Sequence, residues 1–302
     1  GNDSIDGGTG IDTMIGGDGN DYYYVRDVGD SVSETNATTS SGGNDTVYSY
    51  LNGYTLTSNV EYGRIMSVGT ASLAGNTLNN VLYAGQGNNV IAGGDGIDTA
   101  SFYYGVTGTT GVTASLLTGQ ATGSGSDTLT SIERLYGSNN ADRFTGDSKA
   151  NYLYGYAGND TLDGGAGIDA MVGGDGSDYY YVRDIGDSVS ETNAATTGGA
   201  DTVYCYLASY TLSNNVENGR IMSTGLASLT GNTLNNVLYA GQGNNFITGG
   251  DGIDTASFYY GVTGTTGVTA SLVTGQATGS GSDTLTGIER LYGSNNTDRF
   301  IG

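Results

Sequence analysis

Acidic side chains recur at a fixed spacing along this chain. Between residues 137 and 190, Asp or Asn occupies every ninth position, and an apolar or aromatic residue follows two positions later. The fullest copies read GGAGIDAMV at 164–172 and GGDGSDYYY at 173–181. Because carboxylate and carbonyl oxygens are the ligands that Ca²⁺ prefers, this spacing indicates a series of cation sites. The residues in register are Asp142, Asn151, Asp160, Asp169, Asp178 and Asp187.

The same pattern returns elsewhere with varying strength. GGTGIDTMI at 7–15 and GGDGNDYYY at 16–24 match the fullest copies, and weaker copies lie at 76–101 and 232–257. The weaker copies keep the apolar position but place Asn in the acidic one before Asp returns. A single GxD would favour a solvated turn residue, whereas many in register favour ligation.

Some polar residues fit the ninefold register poorly. Asn80 and Asn89 occupy the acidic position of the weaker copies, and we expect them to form an Asn ladder inside stacked turns. Asp127 lies outside the register, and Asp45 is also a weaker candidate for a metal ligand.

The spacing specifies the elements that must position these acids. A nine-residue unit divides into a six-residue turn, for which glycines permit positive φ, and a three-residue strand whose middle residue points inward. Two units form one coil, so residues 18 apart stack ~4.8 Å apart. Asp178 is then expected over Asp160, and Asp187 over Asp169 on the opposite edge. The sequence predicts an all-β parallel β-solenoid, with longer linking rungs, whose stacked carboxylates repel unless a cation lies between them.

The chain is also a tandem duplication. GDGNDYYYVRDVGDSVSETN at 17–36 returns at 174–193 with few changes, and after one deletion the offset is 156 residues. We therefore expect a first unit at 1–146, truncated at its N-terminal end, and a second at 147–302, in one continuous solenoid cut from a longer array. Bare solenoid ends expose unpaired strand edges, so we expect self-association, head to tail or lateral, into fibres.

Composition excludes several function classes. The 302 residues include 31 Asp+Glu, 9 Lys+Arg, no His and one Cys, for a formal charge of −22. Without His there is no Ser–His or Cys–His catalytic pair and no His-ligated zinc, and the charge disfavours nucleic acid as a partner. No apolar run approaches the ~20 residues of a membrane-spanning helix. GxSxG, Walker and HExxH motifs are absent from the sequence, so we expect no enzyme activity.

The repeat GGxGxDxUx, with U apolar, resembles the haemolysin-type calcium-binding (RTX) nonapeptide. The resemblance implies a right-handed β-roll that binds several Ca²⁺ ions between successive turns, with the sixth-position residue as ligand. Asn151 departs from the pattern by offering a neutral oxygen, and Asp30 and Asp187 follow turns without the double Gly. The expected metal ligands are Asp3, Asp12, Asp21, Asp30, Asp98, Asp142, Asn151, Asp160, Asp169, Asp178, Asp187 and Asp254.

Tyrosine dominates the aromatic residues, with 24 in the chain. In the YYY triplets at 22–24 and 179–181 the middle ring should point inward, leaving its neighbours to stack across coils or to form a glycan platform.

Together these features favour a structural, extracellular, calcium-binding segment of a surface filament, an S-layer or an adhesin stalk. The first alternative is a calcium-dependent folding and secretion module of a type I-secreted enzyme or toxin, which an adjoining catalytic domain would favour. The second is a polysaccharide-binding module that uses the Tyr faces.

Overall fold

The computed structural model describes residues 1–34, 42–191 and 198–302. In these residues every regular element is a β-strand. The chain divides into two compact units, Gly1–Tyr156 and Ala157–Gly302.

The strands are short, as a six-plus-three division of the repeat requires. Those that begin in the first unit are β1 (Ser4–Asp6), β2 (Thr13–Ile15), β3 (Tyr22–Val25), β4 (Ser31–Ser33), β5 (Thr46–Ser49), β6 (Gly53–Thr55), β7 (Tyr62–Ile65), β8 (Ala71–Ala74), β9 (Val81–Tyr83), β10 (Asn89–Ala92), β11 (Thr99–Ser101), β12 (Thr113–Ser115), β13 (Gln120–Thr122), β14 (Ser126–Thr130), β15 (Arg134–Tyr136), β16 (Arg143–Thr145) and β17 (Tyr152–Ala157).

The second unit repeats this order. Its strands are β18 (Thr161–Asp163), β19 (Ala170–Asp175), β20 (Tyr179–Val182), β21 (Ser188–Ser190), β22 (Thr202–Cys205), β23 (Ser209–Thr211), β24 (Asn218–Ile221), β25 (Ala227–Thr230), β26 (Val237–Tyr239), β27 (Asn245–Thr248), β28 (Thr255–Ser257), β29 (Thr269–Ser271), β30 (Gln276–Thr278), β31 (Ser282–Thr286), β32 (Arg290–Tyr292) and β33 (Arg299–Ile301).

Strands pair with the next strand but one, as in a coil with two sides. On one side of the first unit, β1, β3, β5, β7, β9, β11, β15 and β17 form a parallel series. On the other side, β2 pairs with β4, and β6, β8, β10 and β14 form a second parallel series. Ser4 lies opposite Tyr22, at the predicted spacing of 18 residues. The predicted all-β parallel solenoid is therefore confirmed.

The second unit has the same pairing. One side carries β18, β20, β22, β24, β26, β28 and β32 in parallel. The other side carries the pair β19 and β21 and the parallel series β23, β25, β27 and β31.

Each unit also contains an antiparallel excursion that the sequence analysis did not predict. In the first unit β12 pairs antiparallel with β13, and β13 with β14, while β12 pairs in parallel with β16. β29, β30, β31 and β33 repeat this arrangement in the second unit. A tight turn ending at Gly119, with φ 65°, reverses the chain between β12 and β13, which is how antiparallel neighbours are joined.

The core is a narrow row of inward side chains. In β2 and β4 only the middle residues, Met14 and Val32, are buried. Tyr23 and Tyr180 are fully buried between exposed or half-buried neighbours, so the prediction for the middle ring of each YYY triplet is confirmed. Successive outward rings stack across coils, as Tyr24 does on Tyr48 at 5.1 Å between centroids.

Candidate metal sites

A carboxylate or amide stands directly before every strand along one edge of each unit. We call this row the edge ladder. In the first unit it precedes β1, β3, β5, β7, β9, β11, β15 and β17, and in the second it precedes β18, β20, β22, β24, β26, β28 and β32. Its members are Asp3, Asp21, Asp45, Glu61, Asn80, Asp98, Glu133 and Asn151 in the first unit, and Asp160, Asp178, Asp201, Glu217, Asn236, Asp254 and Glu289 in the second.

Hydrogen bonds link consecutive members of the edge ladder. The backbone N–H of Asp3 donates to Oδ1 of Asp21 at 2.7 Å, and that of Asp21 donates to Oδ1 of Asp45 at 2.8 Å. In the second unit the N–H of Asp160 donates to Oδ1 of Asp178 at 2.6 Å. On the opposite edge the N–H of Asp169 donates to Oδ1 of Asp187 at 3.1 Å. The predicted 18-residue stacking of Asp178 over Asp160 and of Asp187 over Asp169 is therefore confirmed, whereas Asp21 and Asp45 stack across 24 residues.

The turn GGDGND at 16–21 shows why the repeat needs its glycines. Gly17 and Gly19 have φ of 90° and 120°, a region that side chains with a Cβ rarely adopt. A Cβ on Gly16 would collide with Oδ2 of Asp21, because the carboxylate folds back over that glycine. Gly17 and Gly19 therefore allow the backbone of the turn, and the missing side chain at Gly16 makes room for the carboxylate of Asp21.

This arrangement leaves one oxygen of several acids without a hydrogen-bond donor. In five acids, Oδ2 is buried and accepts no hydrogen bond within the described residues. The side chains of these five acids also form no ion pair there. A buried charged oxygen without a partner is costly. The acids are Asp12, Asp21, Asp98, Asp178 and Asp254.

The electrostatic consequence is visible in the pKa values. Burial raises the pKa of Asp178 to about 6, and it also raises the pKa of Asp98 and of Asp254. Buried carboxylate oxygens beside turn carbonyls are a hard, all-oxygen donor set, which fits Ca²⁺.

Asp30 and Asp187 are engaged differently. Oδ1 of Asp30 accepts from the N–H of Asp12 at 3.2 Å, while its Oδ2 accepts from the N–H groups of Arg26 and Asp27 at 3.0 Å each. The hydrogen bond from Asp27 is the largest cause of the lowered pKa of Asp30. Asp187 accepts the equivalent bonds from Asp169, Arg183 and Asp184. Both carboxylates therefore close a turn.

Asp142 and Asn151 also accept backbone hydrogen bonds. Asp142 accepts from the N–H of Ser138 at 2.6 Å and of Val112 at 2.5 Å, which ties its turn to the strand β12. Asn151 accepts from the N–H of Asp147 at 2.7 Å.

Asn at a ladder position uses its amide as a donor. Nδ2 of Asn80 donates to the carbonyl oxygens of Val60 at 3.0 Å and Glu61 at 3.2 Å, and Asn236 makes the same two bonds to Val216 and Glu217. The Asn side chain is thus bonded to backbone carbonyls rather than to a second Asn. An amide N–H supplies these oxygens with a positive partner, so the turns of Asn80 and Asn236 are satisfied without a cation.

Sequence reasoning missed several members of this network. Asp127 is fully buried and its Oδ1 accepts from the N–H of Asn89, 38 residues away, at 2.7 Å. Asp127 lies in β14, on the side of the coil opposite the edge ladder, and makes the same hydrogen bond between a carboxylate and a stacked backbone N–H; Asp283 repeats this with Asn245. The dipeptide Asp-Thr, directly before β5 at Asp45 and within β14 at Asp127, is the signal that could have identified them.

The comparisons with known proteins agree with this geometry. A family model for the RTX calcium-binding nonapeptide repeat matches the chain in four copies, at residues 1–31, 69–100, 136–171 and 228–256. No curated protein matches the chain. The chain therefore carries RTX repeats, which form β-rolls and bind several Ca²⁺ ions.

Two broader properties accompany this family. RTX repeats are mostly non-catalytic modules, and they are typical of secreted proteins. Within the described residues, no helix has the length and apolar character needed to cross a membrane.

Proposed function

We propose that this chain, an array of calcium-binding RTX repeats, is a structural segment of an extracellular filament, S-layer or adhesin stalk, and that calcium entering its turns drives its folding. The observation that carries the proposal is that Oδ2 of Asp98 and Oδ2 of Asp254 are buried and have no hydrogen-bond donor. Oδ2 of Asp21 and Oδ2 of Asp178 are in the same situation. A cation that binds only the folded chain stabilises it. Oxygen-ligand sites of this kind reach affinities suited to millimolar calcium outside cells.

The same observation ranks the expected ligands. We assign direct ligation to the acids with a bare Oδ2: Asp12, Asp21, Asp98, Asp178 and Asp254. The ladder carboxylates of Asp3 and Asp160 and the opposite-edge carboxylate of Asp169 complete neighbouring turns. We assign turn closure to the acids whose two oxygens both accept backbone N–H bonds, and to Asn151, whose single oxygen does so: Asp30, Asp142, Asn151 and Asp187.

A calcium titration followed by far-UV circular dichroism tests the proposal. We expect a largely disordered chain in chelator and β-structure in millimolar Ca²⁺. The double variant Asp98→Ala with Asp254→Ala should need more calcium to fold. The matched control is Asp95→Ala with Asp251→Ala, which removes two exposed acids from the same turns and should leave the midpoint unchanged. A β spectrum that persists unchanged in chelator would reject calcium-driven folding.

The filament role needs a separate measurement. Self-association, head to tail or lateral, is the partner we propose, and electron microscopy of calcium-saturated protein should show thin fibres that shorten or dissolve in chelator. Discrete monomers at high concentration in saturating calcium would refute assembly while leaving calcium-driven folding intact.

Calcium-coupled folding also supports the role of a folding and secretion module for a type I-secreted enzyme or toxin. In that case the chain should promote calcium-dependent folding of a domain fused to it and should not form fibres.

The Tyr surfaces support a third role in binding extracellular polysaccharide. In the second unit an open groove of about 590 Å³ is lined by Tyr239, Tyr259, Tyr260 and Tyr292. Loss of polysaccharide retention after changing these four residues to Ala would favour this role, and retention that survives the change would reject it.

A further inference from the structure

Three buried carboxylates meet inside each unit, one of them outside the nonapeptide pattern. In the first unit Asp21 and Asp45 belong to the edge ladder, and Glu34 follows β4 on the other side of the coil. One carboxylate oxygen from each lies within 4.8 Å of the others. Their exposed fractions are 0% for Asp21, 8% for Glu34 and 1% for Asp45. We call this the carboxylate cluster, and Asp178, Glu191 and Asp201 form its equivalent in the second unit.

Two hydrogen bonds, one to each carboxylate oxygen, hold Glu34 in the cluster. The buried hydroxyl of Tyr23 donates to its Oε1, and the N–H of Gly17 donates to its Oε2 at 3.3 Å. Glu191 receives the same bonds from Tyr180 and Gly174. The repeat match in this region ends at residue 31, so the nonapeptide does not specify Glu34.

The cluster lacks a positive partner among the described residues. No Lys or Arg there forms an ion pair with any of the three acids of the cluster in either unit. Oδ2 of Asp21 is buried without a hydrogen-bond donor, as is Oδ2 of Asp178. A Cβ placed on Gly16 would collide with both this oxygen and the Tyr23 hydroxyl, so the bare oxygen faces the group that holds Glu34.

The unfavourable charge is reflected in the titration of the cluster. Burial, reinforced by the nearby Asp45, raises the pKa of Glu34 to about 7. Burial likewise raises the pKa of Glu191 to about 7 and of Asp201 to about 8.

We propose that Asp21, Glu34 and Asp45 bind a buried calcium ion, and that Asp178, Glu191 and Asp201 bind another. At Ca–O distances of ~2.4 Å, oxygens that bind one ion lie no more than ~4.8 Å apart, so the spacing of the cluster can accommodate Ca²⁺. The choice of calcium rests on the proposed function, while the existence of a cation site rests on the cluster itself. Such an ion would join the end of β4 to the turns before β3 and β5, and so connect the two sides of the coil.

Counting bound calcium tests the proposal. Glu34→Gln with Glu191→Gln keeps the size and acceptor oxygen of each side chain but removes one charge per cluster. By equilibrium dialysis at saturating calcium we expect the double variant to bind two fewer ions per chain than the wild type. The control, Asp95→Asn with Asp251→Asn, removes the same charge from exposed positions and should bind the wild-type number.

The outcomes separate this proposal from the proposed function. An unchanged count in the Glu variant, with wild-type binding intact, would overturn the cluster site alone. A wild-type chain that binds no calcium would overturn both.

Should the Glu variant fail to fold, europium luminescence of the wild type decides. Decay rates in H₂O and D₂O report the waters on each bound ion. We expect one class of Eu³⁺ with few or no waters, since the cluster is buried, and a finding that every bound ion keeps several waters would overturn the proposal.

Discussion

The two oxygens of a sixth-position Asp have separate tasks. In Asp98, Oδ1 accepts the N–H of Asn80 at 2.7 Å, while Oδ2 folds over Gly93 and has no donor. In Asn80, Oδ1 accepts the N–H of Asn76 at 2.7 Å and the amide donates to the preceding coil. The two turns thus differ in one atom. Oδ2 of Asp98 has no hydrogen-bond donor and favours a cation, whereas Nδ2 of Asn80 donates to backbone carbonyl oxygens and needs none.

Asn80→Asp should therefore destabilise the solenoid. The change removes the donors to the carbonyl oxygens of Val60 and Glu61, and a lost buried hydrogen bond of this kind costs about 1–3 kcal/mol. Urea unfolding at saturating calcium measures the effect. The control is Asn79→Asp, at an exposed position whose Oδ1 accepts the N–H of Ile97 at 2.8 Å, a bond that Asp can keep. Equal stability of the two variants would contradict the role of the amide.

The first glycine of a calcium turn should tolerate no side chain. A Cβ on Gly93 would collide with the carbonyl oxygen of Ser131 and would lie 2.6 Å from Oδ2 of Asp98. Overpacking of this kind costs about 1–3 kcal/mol, so Gly93→Ala should also raise the calcium midpoint of folding several-fold. Gly69→Ala is the control, because a Cβ there meets no atom within 4 Å. Matching midpoints for the two variants would show that the glycine is not needed for the close approach of the Asp98 carboxylate and the Ser131 carbonyl.

At the scale of elements, periodicity predicted most of the fold. The ninefold spacing gave three-residue strands, 18-residue stacking and an inward Tyr23, all of which the structure confirms. It could not predict the hairpin of β12 and β13, because these strands follow no ninefold register. For the same reason the repeat placed Asp127 outside the ninefold register, although its Oδ1 accepts the N–H of Asn89. Glu34 was missed because its partners come from other coils, which no local motif encodes.

The difference in burial predicts effects of unequal size for two phenylalanines of the second unit. Phe258 is fully buried, whereas Phe246 in β27 is 48% exposed. Phe258→Ala should lower the free energy of unfolding by about 3–5 kcal/mol, and Phe246→Ala should change it by about 0.5 kcal/mol or less. Urea unfolding in calcium compares them, and a larger loss for Phe246→Ala would contradict the inward and outward faces described here.

At the scale of the whole molecule, charge opposes folding. The chain carries a formal charge of −22, and its edge ladders stack acids at every coil except those with Asn. Self-repulsion favours an expanded chain, and calcium bound only in the folded state reverses that preference.

Removing calcium should therefore expand the chain. By small-angle scattering in chelator, we expect a radius of gyration that approaches the value for an unfolded chain of this length, about 60 Å. Millimolar Ca²⁺ should restore a smaller radius. Mg²⁺ at the same concentration should not, because it demands tighter octahedral geometry. The same radius in chelator and in calcium would show that repulsion does not control the fold.

An anomalous difference map from crystals grown with calcium would show where the ions bind. The account predicts peaks beside Oδ2 of Asp98 and of Asp254, where the carboxylate is buried and without a donor. It predicts no peak beside the amides of Asn80 and Asn236, which bond to backbone carbonyls. A folded, calcium-soaked solenoid without density beside either Asp would contradict the account.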